Sequence, residues 1–83
     1  MPLLHPEQCR AARGLLDWTQ ESLAERAGLS RSTVRDFEAG RHDLHAGSAA
    51  RIAGVLDEAG VVLIPAEGEA GPGVRLRQAP GVG

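Results

Sequence analysis

The sequence predicts a mainly α domain of four to five short helices, followed by a small C-terminal β-hairpin. Three observations carry this expectation. Apolar residues recur at spacings of three and four from Cys9 to Ala59. Hydroxyl residues and glycines stand between these stretches as start and stop signals. An aliphatic run, Val61–Ile64, and an alternating apolar and basic one, Val74–Arg77, flank a segment rich in turn residues.

Each element has its own signals. Pro6 suits the first position of a helix, where its missing N–H costs nothing. From there Cys9, Ala12 and Leu16 form one apolar stripe, so the first helix ends near Leu16. Thr19 is a good N-cap, with Trp18 and Leu23 at the two positions of a hydrophobic staple. The short second helix turns Leu23, Ala24 and Ala27 inward and stops at Gly28. Ser30 caps a third helix two residues later, running to about Ala39 and closed by Gly40. After a polar loop at Arg41–His45, Ala49, Ile52, Ala53, Leu56 and Ala59 trace a fourth helix that Gly60 stops. Gly54 inside it costs about 1 kcal/mol relative to Ala. Val61–Ile64 favours a strand, Pro65–Gly73 is turn-rich, and Val74–Arg77 alternates apolar and basic. Gln78–Gly83 reads as a disordered tail.

Composition narrows the function classes. A chain of 83 residues gives one modest core, which must be aliphatic because Trp18 and Phe37 are its two aromatics. No apolar run reaches the roughly 18 residues of a membrane span, and no secretory signal precedes the first helix, so a cytoplasmic location is expected. Cys9 is alone and can form no intramolecular disulfide. Its place on the apolar stripe makes it a buried thiol. His42 and His45 do not have zinc-ligand spacing with His5 or Cys9, so no metal and no cofactor are expected. Asp43, His45 and Ser48 lie close in sequence, but no nucleophile elbow surrounds them, so no enzyme is expected.

Charge is unevenly spread. The net charge is −2, yet residues 26–51 hold five Arg (26, 31, 35, 41 and 51) against Asp36, Glu38 and Asp43, a local balance of +2. The remainder holds four Arg against eight acids, a balance of −4. All nine basic residues are Arg, the cation suited to phosphate and guanine.

The span from Trp18 to Gly40 is the informative one. A helix, a turn at Gly28–Leu29 and a helix begun by Ser30 match the two-helix unit that sets its second helix into a DNA major groove. At 100° per residue, Val34 and Phe37 of the third helix fall within about 60° of each other, facing Leu23 and Ala27. Arg31, Ser32, Arg35 and Asp36 spread over about 140° of the opposite side. An apolar back and a hydrogen-bonding outer face are what groove recognition requires. Taken singly, each Arg here is a solvated helix residue, Ser30 no more than a cap, and Trp18 a core or staple residue.

The string Trp18-Thr19-Gln20, Leu23-Ala24, Ala27-Gly28-Leu29-Ser30, Thr33-Val34, Phe37-Glu38-Ala39-Gly40 closely resembles the Xre/Cro family of phage-repressor-like domains, over about residues 6–60. Gly71-Pro72-Gly73-Val74-Arg75-Leu76 is similar to the tail of small stand-alone bacterial members. The resemblance implies a phage-repressor-like DNA-binding domain and assigns roles by position. Arg31, Ser32 and Asp36 match base-reading positions. An Arg there can bond guanine bidentately, while Asp36 could accept from cytosine but would also repel phosphate. Gln20, Ser30, Thr33, Arg35 and Arg41 match backbone-contacting positions, and Gln20 opens a helix, where a phosphate is favoured. Arg13 and Glu38 match a pair that in several members forms a salt bridge between the first and third helices.

The expected organisation is a DNA-binding domain at 1–60, a hairpin at 61–77 that joins two copies, and a tail at 78–83. The expected function is a sequence-specific transcriptional regulator, a repressor, that binds double-stranded DNA as a homodimer through the C-terminal strands. Neither a membrane nor a small-molecule ligand is an expected partner. The alternative, raised by the acidic net charge and by Asp36, is a protein-interaction module such as an antitoxin or adaptor.

Overall fold

The four helices traced in the sequence form, and the start signals of the second and third are visible as side-chain hydrogen bonds. The computed structural model describes residues 4–79. Helix α1 spans Pro6–Leu16, α2 Gln20–Ala27, α3 Arg31–Glu38 and α4 Ala46–Glu58; strands β1 (Val61–Ile64) and β2 (Gly73–Leu76) complete the chain. The Thr19 hydroxyl accepts the Ser22 N–H at 3.0 Å, and the Ser30 hydroxyl accepts the Thr33 N–H at 3.2 Å, so both predicted caps close their helices. α1 ends differently from α2 and α3. Asp17 holds the left-handed conformation (φ 57°) there, which a short polar side chain tolerates.

The turn between α2 and α3 depends on Gly28. Its φ of +70° lets its own N–H reach the Glu25 carbonyl and the Leu29 N–H reach the Ala24 carbonyl at 2.9 Å. A Cβ at this position would be strained and would also meet the Arg51 guanidinium at 3.9 Å. The chain reverses within two residues as a result, and α3 leaves at a fixed angle.

One core serves the whole molecule. Cys9 and Ala12 of α1, Leu23, Ala24 and Ala27 of α2, Val34 and Phe37 of α3, Ile52 and Leu56 of α4, and Val61 of β1 are all buried together. Gly54 lies on the exposed side of α4, with open space where a side chain would be.

β1 and β2 pair antiparallel, Val61 with Leu76 through to Ile64 with Gly73. Strand alternation turns Val61, Leu63, Val74 and Leu76 onto the helices and leaves Val62, Ile64 and Arg75 on the outer face. β2 begins one residue earlier than predicted and ends before Arg77. The reason lies at the end of α4: Arg77 gives its N–H to the Gly60 carbonyl and its guanidinium to the Asp57 carbonyl and carboxylate. A cation there complements the helix C-terminus. Of the predicted tail, residues 80–83 lie outside the described residues.

Gln8 fastens the hairpin to α1. It is 2% exposed, and its amide nitrogen donates to the carbonyls of both Ile64 and Gly73 at 3.0 Å. Its amide oxygen accepts the His5 N–H. All of its polar atoms are therefore matched although it lies among apolar residues. Gln8→Ala should lower the stability by about 1–3 kcal/mol by orphaning two carbonyls, read from urea unfolding followed by circular dichroism. A loss below a few tenths of a kcal/mol would show that the hairpin is held by its apolar face alone.

Candidate nucleic-acid interface

The back of α3 is fixed before its front is presented. Val34 and Phe37 are buried in the core as their phase predicts, and Glu38 is buried beside them at 3% exposure. A carboxylate in that position is costly unless every lone pair is engaged. Glu38 Oε1 accepts from Arg13 Nη2 at 2.7 Å and from Gln20 Nε2 at 3.0 Å. Its Oε2 accepts from Arg13 Nε at 2.8 Å and from the Cys9 thiol at 3.1 Å. Arg10 donates to the Glu38 backbone carbonyl, and Arg13 also reaches the Trp18 carbonyl at 3.0 Å.

One side chain of α3 is thus held by two helices, and the bidentate Arg13 pairing leaves it little rotational freedom. Burial acts to raise the Glu38 carboxyl, but the hydrogen bonds from Arg13, Gln20 and Cys9 and the Arg13 charge hold it below the usual glutamate value. Burial, and then the hydrogen bond to Glu38, push the Cys9 thiol far up, so it stays a neutral donor.

The front of α3 carries the polar residues. Arg31, Ser32 and Arg35 are exposed, and Thr33 and Asp36 are half-buried. The Ser30 hydroxyl contacts those of Thr33 at 2.7 Å and Ser32 at 3.1 Å, giving a linked row of hydroxyls at the start of the helix. Arg31 lines a shallow groove with Arg13, Thr19, Gln20 and Glu21, where the first turns of α2 and α3 approach each other. A second groove joins the outer side of α3, at Ser32, Thr33 and Asp36, to His42, Asp43 and His45 of the following loop and Ser48 of α4.

The structure therefore gathers Gln20, Ser30, Arg31, Ser32, Thr33, Arg35, Asp36 and Arg41 around the N-termini and outer face of the two-helix unit. Several of them already have internal partners: the Gln20 amide is turned to Glu38, the Asp36 carboxylate to Arg35 and Arg41, and the Ser30, Ser32 and Thr33 hydroxyls to one another. Sequence reasoning did not find the parts played by Gln8, Arg10 and Cys9. Their partners are 28 to 65 residues away along the chain. The available signal was Gln8, a polar residue one turn before Ala12 on the stripe that α1 buries.

A helix-turn-helix family model, of the Xre/Cro type, matches residues 10–60. The chain belongs to this family. The match covers α2, the turn and α3 whole, and it ends just before the hairpin. Membership makes this a DNA-binding helix-turn-helix protein of the Xre/Cro type, mainly α with a C-terminal β-hairpin. No curated protein matches the chain. Among the described residues no helix is long and apolar enough to cross a membrane.

The Glu38 assembly has a pH signature with a definite sign. Because the folded carboxyl lies below its usual value of 4.5, its stabilisation is complete above that pH and is lost as pH falls through the lower folded value. Glu38→Gln should cost about 3 kcal/mol at neutral pH, since it leaves Arg13 without its counter-charge. It should also flatten the acid limb of the stability curve, as measured by chemical denaturation at a series of pH values. Parallel acid limbs for the two proteins would contradict this account of Glu38.

Proposed function

We propose that this protein is a sequence-specific, double-stranded-DNA-binding transcriptional regulator, a repressor, that works as a homodimer with α3 in the major groove. The observation that carries the reading is the division of α3. Its buried side is pinned by Glu38, while Arg31 and Ser32 project from the other side without structural duties in the core. Arg31 is the base reader, matching guanine O6 and N7 with two parallel donors, and Ser32 stands beside it. The free main-chain N–H groups at the start of α2, beginning with Gln20, offer a seat for one phosphate. Ser30, Thr33, Arg35 and Arg41 supply the remaining backbone contacts, which position the helix without reading sequence.

A regulator of this kind should lose affinity for duplex DNA steeply as salt rises, through counter-ion release. Arg31→Ala should relax the preference at one base pair by about 5- to 150-fold, the equivalent of 1–3 kcal/mol. Arg41→Ala should weaken binding to all sequences alike. Fluorescence anisotropy against a panel of single-substitution duplexes measures both. No binding at low salt, or binding indifferent to salt, would favour the interaction module, an antitoxin or adaptor, instead.

The outer face of the hairpin supports pairing of two copies. Val62 and Ile64 are turned away from the core, Ile64 is 38% exposed, and a two-stranded sheet has two open edges. Joining two hairpins about a two-fold axis would cover that face, and a regulator of this kind needs its two copies of α3 at half-sites about one helical turn, or roughly 34 Å, apart. Ile64→Glu should convert the dimer to a folded monomer in sedimentation equilibrium and weaken operator binding. A variant that still sediments as a dimer would place the interface elsewhere.

A further inference from the structure

An acidic residue on a face that approaches phosphate requires a reason, and Asp36 is that residue. Its side chain is 23% exposed, and it sits between two exposed arginines. Arg35 Nε lies 3.2 Å from Asp36 Oδ1, and Arg41 Nη1 lies 3.9 Å from the same oxygen. The second contact follows from the way α3 ends. Gly40 adopts φ +76°, its N–H returns to the Phe37 carbonyl, and the Arg41 N–H returns to the Asp36 carbonyl at 2.9 Å. The Asp36 carbonyl therefore accepts the Arg41 main-chain N–H, and the Asp36 carboxylate lies within ion-pair range of its guanidinium. These two arginines are also among those proposed above to contact the DNA backbone.

We infer that Asp36 is an internal counter-ion: it holds Arg35 and Arg41 in the place a DNA phosphate would take, and so lowers the sequence-independent part of DNA binding. The inference rests on the DNA-binding reading above. Phosphate contacts supply nearly all of the affinity for unrelated DNA. A carboxylate bonded to Arg35 and within ion-pair range of Arg41 must be displaced, or must share them, before each contact forms. The penalty falls equally on every sequence. A single copy, whose net charge is −2, then gains little from arbitrary DNA, and retention requires the base contacts of two copies together. This gives the modest +2 of residues 26–51 a function. The chain limits its own electrostatic attraction and relies on readout.

Asp36→Asn in the full-length chain tests the inference, because it keeps the shape and removes the charge. Binding is measured by anisotropy against an operator selected from random duplexes and against an unrelated duplex, from 50 to 200 mM salt. The variant should bind both duplexes tighter, by about 3- to 30-fold at the low-salt end, with a log–log salt slope steeper by about 1–2. Asp43 lines the same groove and, among the described residues, makes no ion pair. Asp43→Asn removes the same charge and should give less than half of that gain. In an Arg35→Ala/Arg41→Ala background, Asp36→Asn should change little, because the cations it shields are gone.

Three results would overturn the inference. The first is an effect of Asp36→Asn confined to one C·G pair, which would make Asp36 a cytosine reader. The second is an equal gain from Asp43→Asn, which would reduce the effect to net charge. The third is an undiminished gain without the two arginines. Failure of wild type and Asp36→Asn alike to bind any duplex at 50 mM salt would overturn the DNA-binding reading itself, and the inference with it.

Discussion

The buried carboxylate of Glu38 is the constraint on which the rest of the structure depends. An ionised acid inside an aliphatic core is tolerated when donors surround it completely, and here four donor contacts converge on its two oxygens. They come from α1 and from the first residue of α2, so the charge that must be satisfied also determines where three helices meet. An apolar residue at this position could pack well without selecting one rotation of α3 over another. The carboxylate selects one, because a small rotation would break a bidentate pair and strand Arg13. Specificity of orientation is thus obtained from a group that adds little to net stability.

The outer surface follows from that fixed rotation. With Val34, Phe37 and Glu38 turned inward, helical geometry leaves Arg31, Ser32 and Arg35 outward. The positive φ of Gly28 sets the angle between α2 and α3, and the positive φ of Gly40 returns Arg41 to the same side. Gln20 belongs to both layers, since its side chain completes the Glu38 cage while its main chain opens α2. The hairpin is part of the same construction. Gln8 and Val61 bring it into the common core, and the face it leaves outward is apolar.

Much of this was legible in the sequence because its causes are local. The caps at Thr19 and Ser30, the stops at Gly28 and Gly40 and the stripe through Cys9 and Ala12 each act within a few residues, and each is found where the pattern places it. The Arg13–Glu38 pair was expected from family resemblance, and it forms. Contacts between residues far apart in the chain were not legible. Nothing near Cys9 announces that its thiol will donate to Glu38, or that Gln8 will bond to both strands of a hairpin 56 and 65 residues away. The bounds of β2 were misplaced by one residue because both are tertiary effects: Gly73 joins the strand by pairing with Ile64, and Arg77 leaves it for the C-terminus of α4. Asp36 was legible as an anomaly, but its partners became visible when the turn at Gly40 placed Arg41 beside it.

Selection of bound sequences from a pool of random duplexes tests the central claim most directly, namely that α3, held by Glu38, reads base edges from two copies at once. The account predicts one enriched motif with two-fold symmetry, its half-sites about one turn or roughly 10 base pairs apart, and a guanine at the same position in each half. Enrichment of a motif without symmetry or without a fixed guanine would contradict it, as would a pool that stays random after repeated rounds.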